Sequence, residues 1–267
     1  MYEIDKVIVA STLHEPFNRL DDLIHQAIPF IKKNFDKIIV YCSPSTNEDT
    51  IAYLKGSNLI VQFAKTNSIV KTYKECIKKA IEYITDSEEQ YILYIDFDRF
   101  LHWVIKYPEE LLSIFKTEGN LELLHLGRST RAFETHPKTQ ILTENIVNLY
   151  GSQALGFKNN IDLISVCFIF SKRLAQLLVN MENKTETGFY GTWPILLWSN
   201  AKSQKYREVE GLEWETPDRF KKEIGNTENS YKNWLDEFQS SDEWKRRVNL
   251  LNDCLLELSE ILNITLK

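Results

Sequence analysis

Two rhythms alternate along the first hundred residues. Lys6 to Ala10 is a short β-rich run. From Phe17 to Phe35 the apolar residues Leu20, Leu23, Ile24, Ala27, Ile28 and Ile31 recur at three- and four-residue steps, the period of one helix face. Lys37 to Cys42 is a second apolar run, closed by the turn signal Ser43-Pro44-Ser45. Asp49 to Lys55 suits a short helix ended by Gly56, and Leu59 to Phe63 is a third strand. Ile69 to Ile84 returns to the helical period, with Tyr73, Cys76, Ile77, Ala80, Ile81 and Ile84 on one stripe. Tyr91 to Ile95 is apolar throughout, as expected of a strand covered on both faces. This βαβαβαβ order predicts an α/β fold with a mostly parallel central sheet flanked by helices.

Beyond residue 100 the rhythm loosens. Pro108 to Phe115 reads as a helix opened by proline, and Leu121 to Leu126 as a strand. Between 127 and 156 lies a polar block holding Arg128, Arg131, His136, Gln140, Glu144 and Asn148. Leu163 to Phe170 reads as a strand, Lys172 to Met181 as a helix, Gly188 to Asn200 as a turn and short helix, and Tyr206 to Trp214 as the last strand. A charged stretch, Asp218 to Ser230, reads as a linker to a helical tail whose Trp244, Val248, Leu251, Leu255 and Leu258 form one apolar stripe. The expected division is a main domain over 1–217 and a helical C-terminal extension over 218–267 packed on it.

Composition narrows the function classes. The chain has 267 residues, 43% of them hydrophobic, enough for a sizeable core. Its formal charge of -6 lacks the basic footprint of a nucleic-acid binder. The N-terminal segment carries Glu3 and Asp5 and reads as a strand, not a signal peptide. Runs such as Val166 to Phe170 are too short to cross a bilayer. The expectation is a cytoplasmic protein without a transmembrane segment. Cys42, Cys76, Cys167 and Cys254 are scattered, which suggests reduced thiols and no zinc site. The glycosylation-type triplets at Asn183 and Asn263 are read as chance matches on that expectation.

Glycine placement excludes two common nucleotide sites. None precedes Gly56, so the first strand–helix turn carries neither a P-loop nor a GxGxxG fingerprint. Open parallel sheets nevertheless bind ligands beyond the carboxyl ends of their strands. The polar groups expected there are Ser11, Thr12 and Glu15 after the first strand, Ser43 and Ser45 after the second, and Asp96, Asp98 and Arg99 after the fourth. In an extended chain Asp96 and Asp98 lie on one side, where two negative charges repel unless a cation or protons intervene. Hard cations such as Mg²⁺ or Mn²⁺ take such oxygen ligands and bridge to phosphates. The plainer alternative is that one Asp caps the next helix and the other is solvated.

With Tyr94-Ile95-Asp96-Phe97-Asp98-Arg99 on the fourth strand's end, residues 6 to about 215 resemble the GT-A class of nucleotide-sugar glycosyltransferases. That class has a Rossmann-like half whose fourth strand ends in a DxD motif. The resemblance implies a nucleotide-binding half over 1–100 and an acceptor half over 101–217. It also implies a UDP- or GDP-type donor, an acceptor of unspecified kind and a divalent cation, Mn²⁺ or Mg²⁺. Asp98 would touch the metal most directly, and Asp96 would lean toward ribose or sugar while sharing in the metal site. The strings Gly127-Arg128, Arg131-Ala132-Phe133, Thr135-His136-Pro137, Thr143-Glu144, Trp193-Pro194 and Gly211 to Arg219 resemble a poorly characterised bacterial and archaeal subgroup.

Two features depart from the larger inverting families of that class. Their acidic pair before the last strand is replaced here by Gly188-Phe189-Tyr190-Gly191-Thr192-Trp193, without an acid. Their late metal ligand is commonly His, but no His follows His136, which leaves Glu213 or Glu215 as substitutes. Either inversion or retention is compatible with this pattern. The remaining candidates are Glu144, His136 and Glu213 for catalysis, and Ser11, Thr12, Ser43, Lys71, Asp96, Arg99, Arg128 and Arg131 for the donor. Asp162 and Trp193 are candidates for the acceptor. For each there is a plainer role: surface arginine or lysine, structural histidine, turn cap at Asp162, packing at Trp193. The leading expectation is a glycosyltransferase. A GT-A-like binding module that has lost its base is the alternative. A haloacid-dehalogenase-type phosphatase would carry DxD on its first strand, and a sugar nucleotidyltransferase would carry a glycine-rich N-terminal signature.

Overall fold

The structure is a computed structural model that describes residues 2–85, 90–117, 119, 121–225 and 227–265. The side chains of 117 and of 263–265, Asn263 among them, lie outside that description. The elements in chain order are β1 (Val7–Leu13), α1 (Asp21–Asn34), β2 (Lys37–Cys42), α2 (Glu48–Gly56), β3 (Ile60–Phe63), α3 (Ile69–Tyr83) and β4 (Tyr91–Tyr94). There follow α4 (Phe97–Lys106), α5 (Pro108–Thr117), β5 (Leu123–Arg128), α6 (Thr130–Glu134), α7 (Lys138–Ala154), β6 (Phe168–Ser171), α8 (Lys172–Asn180), α9 (Phe189–Asn200) and β7 (Gln204–Val209). The chain closes with α10 (Thr216–Arg219), α11 (Lys221–Ile224), α12 (Glu228–Glu237) and α13 (Ser241–Thr265).

The strands form one sheet in the order β3-β2-β1-β4-β6-β5-β7. All neighbours are parallel except β6, which runs antiparallel to both β4 and β5. The expected mostly parallel sheet with helices on both sides is what forms. Both faces are buried, so period-two alternation sorts side chains between two cores. Val7, Val9, Leu93 and Ile95 meet Ile24, Ile31, Phe100 and Leu111 from α1, α4 and α5 on one face. Ile8, Ala10, Ile92 and Tyr94 meet Ile77, Leu174, Phe189 and Trp193 from α3, α8 and α9 on the other. Because β6 is reversed, its N-terminal approach meets the same edge as the carboxyl ends of the other strands.

Four local readings change. The chain does not stay extended through Asp98: Asp96 is the N-cap of α4, and Asp98 sits in its first turn. Phe97, Phe100, Leu101 and Val104 bury one helix face there. The stretch expected as a strand from Leu163 is a 3-10 turn over Leu163–Ser165, and Val166 then takes a left-handed φ of 50°. A β-branched residue in that region costs about 1–3 kcal/mol. The last strand stops at Val209. The charged stretch from 218 is helical in large part and adds Phe220, Ile224, Trp234 and Phe238 to a small aromatic cluster on Trp214.

The polar block becomes α6 and α7. Helix α7 buries a polar stripe (Thr139, Gln140, Thr143, Glu144, Asn148) and leaves Leu142, Ile146 and Leu149 exposed. α13 packs its Leu251, Cys254 and Leu258 against Val147, Leu163, Ile164 and Ile195. Among the described residues, no helix is long and apolar enough to cross a membrane.

Candidate functional site

The carboxyl edge of β1, β2 and β4 opens into a cleft of about 450 Å³. β1 delivers two hydroxyls to that edge on opposite faces. Ser11, fully buried, donates to the carbonyl of Ile95 at 2.7 Å and ties β1 to the end of β4. Thr12 lines the cleft and donates to Asp96 Oδ1 at 2.9 Å. Ser43, from the turn after β2, lines it too, with its hydroxyl 2.9 Å from His14 Nδ1. Asn67, Thr72 and Tyr73 bring the start of α3 to the opposite wall. Lys71 is exposed beside them and is absent from the lining.

Asp96 and Asp98 both face this cleft. Asp96 makes no capping bond to the helix it precedes, so its carboxylate is left to the cleft. Asp98 Oδ1 accepts from the backbone N–H of Arg99 at 2.9 Å, and Oδ2 accepts from Arg219 Nη2 at 2.9 Å. Burial raises the Asp96 carboxyl above its ordinary value; Arg99 pulls it back and Asp98 adds to the rise. Burial likewise raises Glu215, again opposed by Arg99. Burial disfavours the Arg99 charge, but Glu215, Asp96 and Asp98 together hold it charged. Arg99 Nη1 donates to the carbonyl of Ser165 at 2.7 Å, the residue before the left-handed Val166. The strained turn thus helps seat the cation behind the carboxylates.

Asp96 also borders a second, smaller cleft of about 150 Å³, lined further by Arg99, Gln140, Glu144, Tyr190 and Glu215 and by Arg246 and Arg247 from α13. Arg247 Nη2 donates to Gln140 at 2.8 Å, and Arg247 Nη1 lies 3.5 Å from Glu144. Glu215 Oε2 is 3.7 Å from Arg99 Nε and is buried without a hydrogen-bond partner.

The polar block behind this cleft is differently arranged. Asp162 accepts from the N–H and Nε of Arg128 on one oxygen, and from Arg128 Nη2 and Asn148 Nδ2 on the other. Arg128 Nη2 also donates to Glu144 at 2.7 Å, and the guanidinium stacks 4.5 Å from the Phe133 ring centre. Asn148 Oδ1 receives the N–H groups of Leu163 and Ile164. Burial works against the Asp162 charge, yet Arg128 holds the carboxyl down at about 2.

The other candidates divide as follows. His136 is buried, accepts no visitor from either cleft, and has its Nδ1 3.2 Å from the carbonyl of Ala132. Burial, then the charges of Arg128 and Arg99, push its imidazole well below the ordinary value. Arg131 is half-exposed and pairs with Glu210 and Glu213 at 2.5 and 2.6 Å. Glu213 is turned to Arg131 and to His102, away from the clefts. Trp193 is fully buried with Tyr73, Tyr94 and Phe189 around it, so its ring has no face for a sugar. The acid-free Gly188–Trp193 segment opens α9 beneath α13: a Cβ at Gly188 would collide with the Glu257 carboxyl group. Glu257 in turn accepts from Asn183 and from the N–H groups of Lys184 and Thr185, capping that turn.

Glu215, a candidate for the late metal ligand, lines the second cleft. Tyr190, Arg219 and Arg247 line the clefts as well, from parts of the chain far from the DxD motif. Their signal in the sequence was faint, because nothing in residue spacing says which loop charge returns to which strand end.

Among the described residues, no group of three or more His, Cys, Asp or Glu stands ready to hold a metal. Asp96 and Asp98 still suit Mg²⁺ or Mn²⁺, which are commonly held by one or two carboxylates while phosphates and water complete the shell. Arg219 at Asp98 Oδ2 would compete with such an ion for the same carboxylate.

No protein-family model matches the chain. No curated protein matches it either. Solved structures do. Glucosyl-3-phosphoglycerate synthase from Mycobacterium tuberculosis in complex with uridine-diphosphate is 14% identical, with 84% of each chain covered and a TM-score of 0.50. The same enzyme with Mn²⁺, UDP-glucose and phosphoglyceric acid is 16% identical over 76% of this chain and 70% of that one, with a TM-score of 0.49. At such identity the likeness shows the fold: the chain has the GT-A fold of nucleotide-sugar glycosyltransferases.

Proposed function

We propose that the chain is a glycosyltransferase that moves a sugar from a nucleotide-sugar donor to an acceptor, with Mn²⁺ or Mg²⁺ at Asp96 and Asp98. The observation that carries this reading is the pair of carboxylates opening α4, both facing the cleft at the carboxyl edge of the sheet. A structural neighbour in complex with UDP supports a donor of UDP type, with GDP type as the competing choice.

The donor's diphosphate lies by Asp98, and the hydroxyls of Thr12 and Ser43 orient the nucleotide along the β1 and β2 ends. Bound there, the cation neutralises charge that builds on the departing nucleoside diphosphate. Thr12 fixes the Asp96 carboxylate, and the Arg99 charge opposes the rise that burial imposes on it. The acceptor enters the second cleft, which shares Asp96 and Tyr190 with the first. As the acceptor oxygen bonds to the sugar and the sugar–phosphate bond breaks, the acceptor's proton passes to Glu215. Of Glu144, His136 and Glu213, Glu144 alone lines this cleft, and Arg128 and Arg247 already engage it. Glu215 has an oxygen without a hydrogen-bond partner and a carboxyl raised by burial, which suit a proton acceptor.

A panel of UDP- and GDP-sugars, scored for nucleoside-diphosphate release with and without Mn²⁺, tests the proposal. Mn²⁺-dependent release from at least one donor, lost in Asp98→Ala, is the expected result. The acid-free opening of α9 beneath α13 favours one second reading, a module that binds donor without turning it over. Metal-dependent binding with no release from any donor would select it.

A further inference from the structure

Arg219 is the last residue of α10 and lies 121 positions from the carboxylate it touches. Its Nη2 donates to Asp98 Oδ2 at 2.9 Å, and its Nε is 3.6 Å from Glu15 Oε2. Asp98 and Arg219 are both part-exposed on the cleft, with side chains 24% and 21% accessible. The guanidinium therefore stands between two carboxylates at the point where a cation would reach Asp98.

We propose that Arg219 is the cation that holds Asp98 while the cleft is without donor, and that it passes to the donor's diphosphate on loading. Metal ion and nucleotide then bind as a coupled pair. The inference rests on the metal–diphosphate reading of this cleft and adds a residue and an order of events to it.

Three observations support the handover. First, the contact with Asp98 is a single bond. An arginine facing a carboxylate can form two parallel ones, and here Nε finds no hydrogen-bond partner, nor does Glu15 Oε2. Arg219 lines the cleft, and its planar fork has the geometry that pairs with phosphate oxygens. Second, the residue before it is anchored. Asp218, the preceding residue, accepts from His102 Nδ1 at 2.6 Å, and His102 is buried on α4. The move therefore needs only side-chain rotation. Third, a divalent ion at Asp98 and the Arg219 guanidinium compete for the same negative charge. A bare ion binds beside the Arg219 charge and is repelled by it, whereas a diphosphate offers Arg219 a new anion and leaves Asp98 to the metal. Bare-metal affinity is low for that reason, and nucleotide raises it.

The test is Mn²⁺ titration of the full chain, read by the electron paramagnetic resonance of free Mn²⁺, alone and with saturating UDP or, in parallel, GDP. Four proteins are compared: wild type, Arg219→Gln, Arg19→Gln and Asp98→Asn. Arg19 supplies an equal nearby charge paired to Glu223, without touching Asp98. Arg219→Gln is expected to bind Mn²⁺ alone about tenfold tighter than wild type, with the nucleotide-induced gain reduced by a like factor. Arg19→Gln is expected to match wild type. Unchanged Mn²⁺ affinity in Arg219→Gln, or an equal gain in Arg19→Gln, overturns the handover. If Asp98→Asn loses nucleotide-supported Mn²⁺ binding in either case, the metal site stands and only the handover falls. If Asp98→Asn binds as wild type does, the metal reading itself fails.

Discussion

Two sets of carboxylates meet the same edge of the sheet and are treated in opposite ways. Around the approach to β6, Asp162 has both oxygens filled by four N–H donors, and its charge is matched by Arg128. At the end of β4, Asp96 is met by the hydroxyls of Thr12 and Tyr73, Asp98 takes one amide and a part-exposed guanidinium, and Glu215 and Glu15 each keep a buried oxygen without a hydrogen-bond partner. Buried polar groups that are satisfied add rigidity; those left short of partners hold binding capacity at a cost in stability. Polar residues were dense in both stretches of sequence. What separates a scaffold from a site is whether the protein completes the hydrogen bonds itself.

The largest effect expected from this contrast is at Arg128. Arg128→Met strands Asp162 as a buried unpaired charge and should cost about 3–5 kcal/mol in urea unfolding. Asp98→Ala, in the other set, should leave unfolding within about 0.5 kcal/mol of wild type, as surface changes do. Equal losses in the two variants would erase the distinction.

Acid sharpens the comparison. His136 is held neutral by burial and by the neighbouring guanidinium charges, and burial pushes His125 down to about 3. Below about pH 6.5 the unfolded chain protonates these histidines and the folded chain does not, so stability present above that pH is lost as pH falls. Asp162, held down at about 2, adds a second loss between its unfolded value and that pH. Glu215 has the opposite sign: its raised carboxyl contributes stability below its unfolded value and loses it as pH rises through the folded one. Denaturant midpoints should therefore fall from pH 7.5 to pH 5 in wild type, and less steeply in His136→Gln. Glu215→Gln should raise Tm at neutral pH while abolishing sugar transfer, the trade expected of a site kept short of partners. A lower Tm in that variant would mark Glu215 as structural.

The smallest effect is expected at Thr12. Thr12→Val removes the hydroxyl that fixes Asp96 and should weaken metal-supported nucleotide binding about two- to tenfold, the worth of one hydrogen bond. No change by calorimetry would place the donor away from β1.

The first hundred residues were legible because their buried faces are apolar and their periods clean. Helix α4 is masked by the two carboxylates at its start, although Phe97, Phe100, Leu101 and Val104 carry a helical period. Helix α7 could not be read from hydrophobicity, since the face it buries is polar and Leu142 and Ile146 point outward. The charges from 218 onward read as a linker, yet His102 and Asp98 hold Asp218 and Arg219, and Trp234 anchors the aromatic cluster. Of the cleft, Thr12, Ser43, Asp96 and Asp98 follow from strand ends and were legible. Arg219 reaches it, and Arg247 the second cleft, across more than a hundred residues, which no local spacing encodes.

The central claim is that the carboxylates opening α4 form a metal–diphosphate site. Calorimetric titration of UDP and of GDP into the full chain, with and without Mn²⁺, tests it most directly when repeated on Asp98→Ala. The account expects one nucleotide to bind with Mn²⁺ and to weaken at least about 100-fold without it or in Asp98→Ala, since losses of outer-shell partners alone cost about 10–100-fold. Binding of either nucleotide that is the same with and without Mn²⁺, or the same in Asp98→Ala as in wild type, would contradict it.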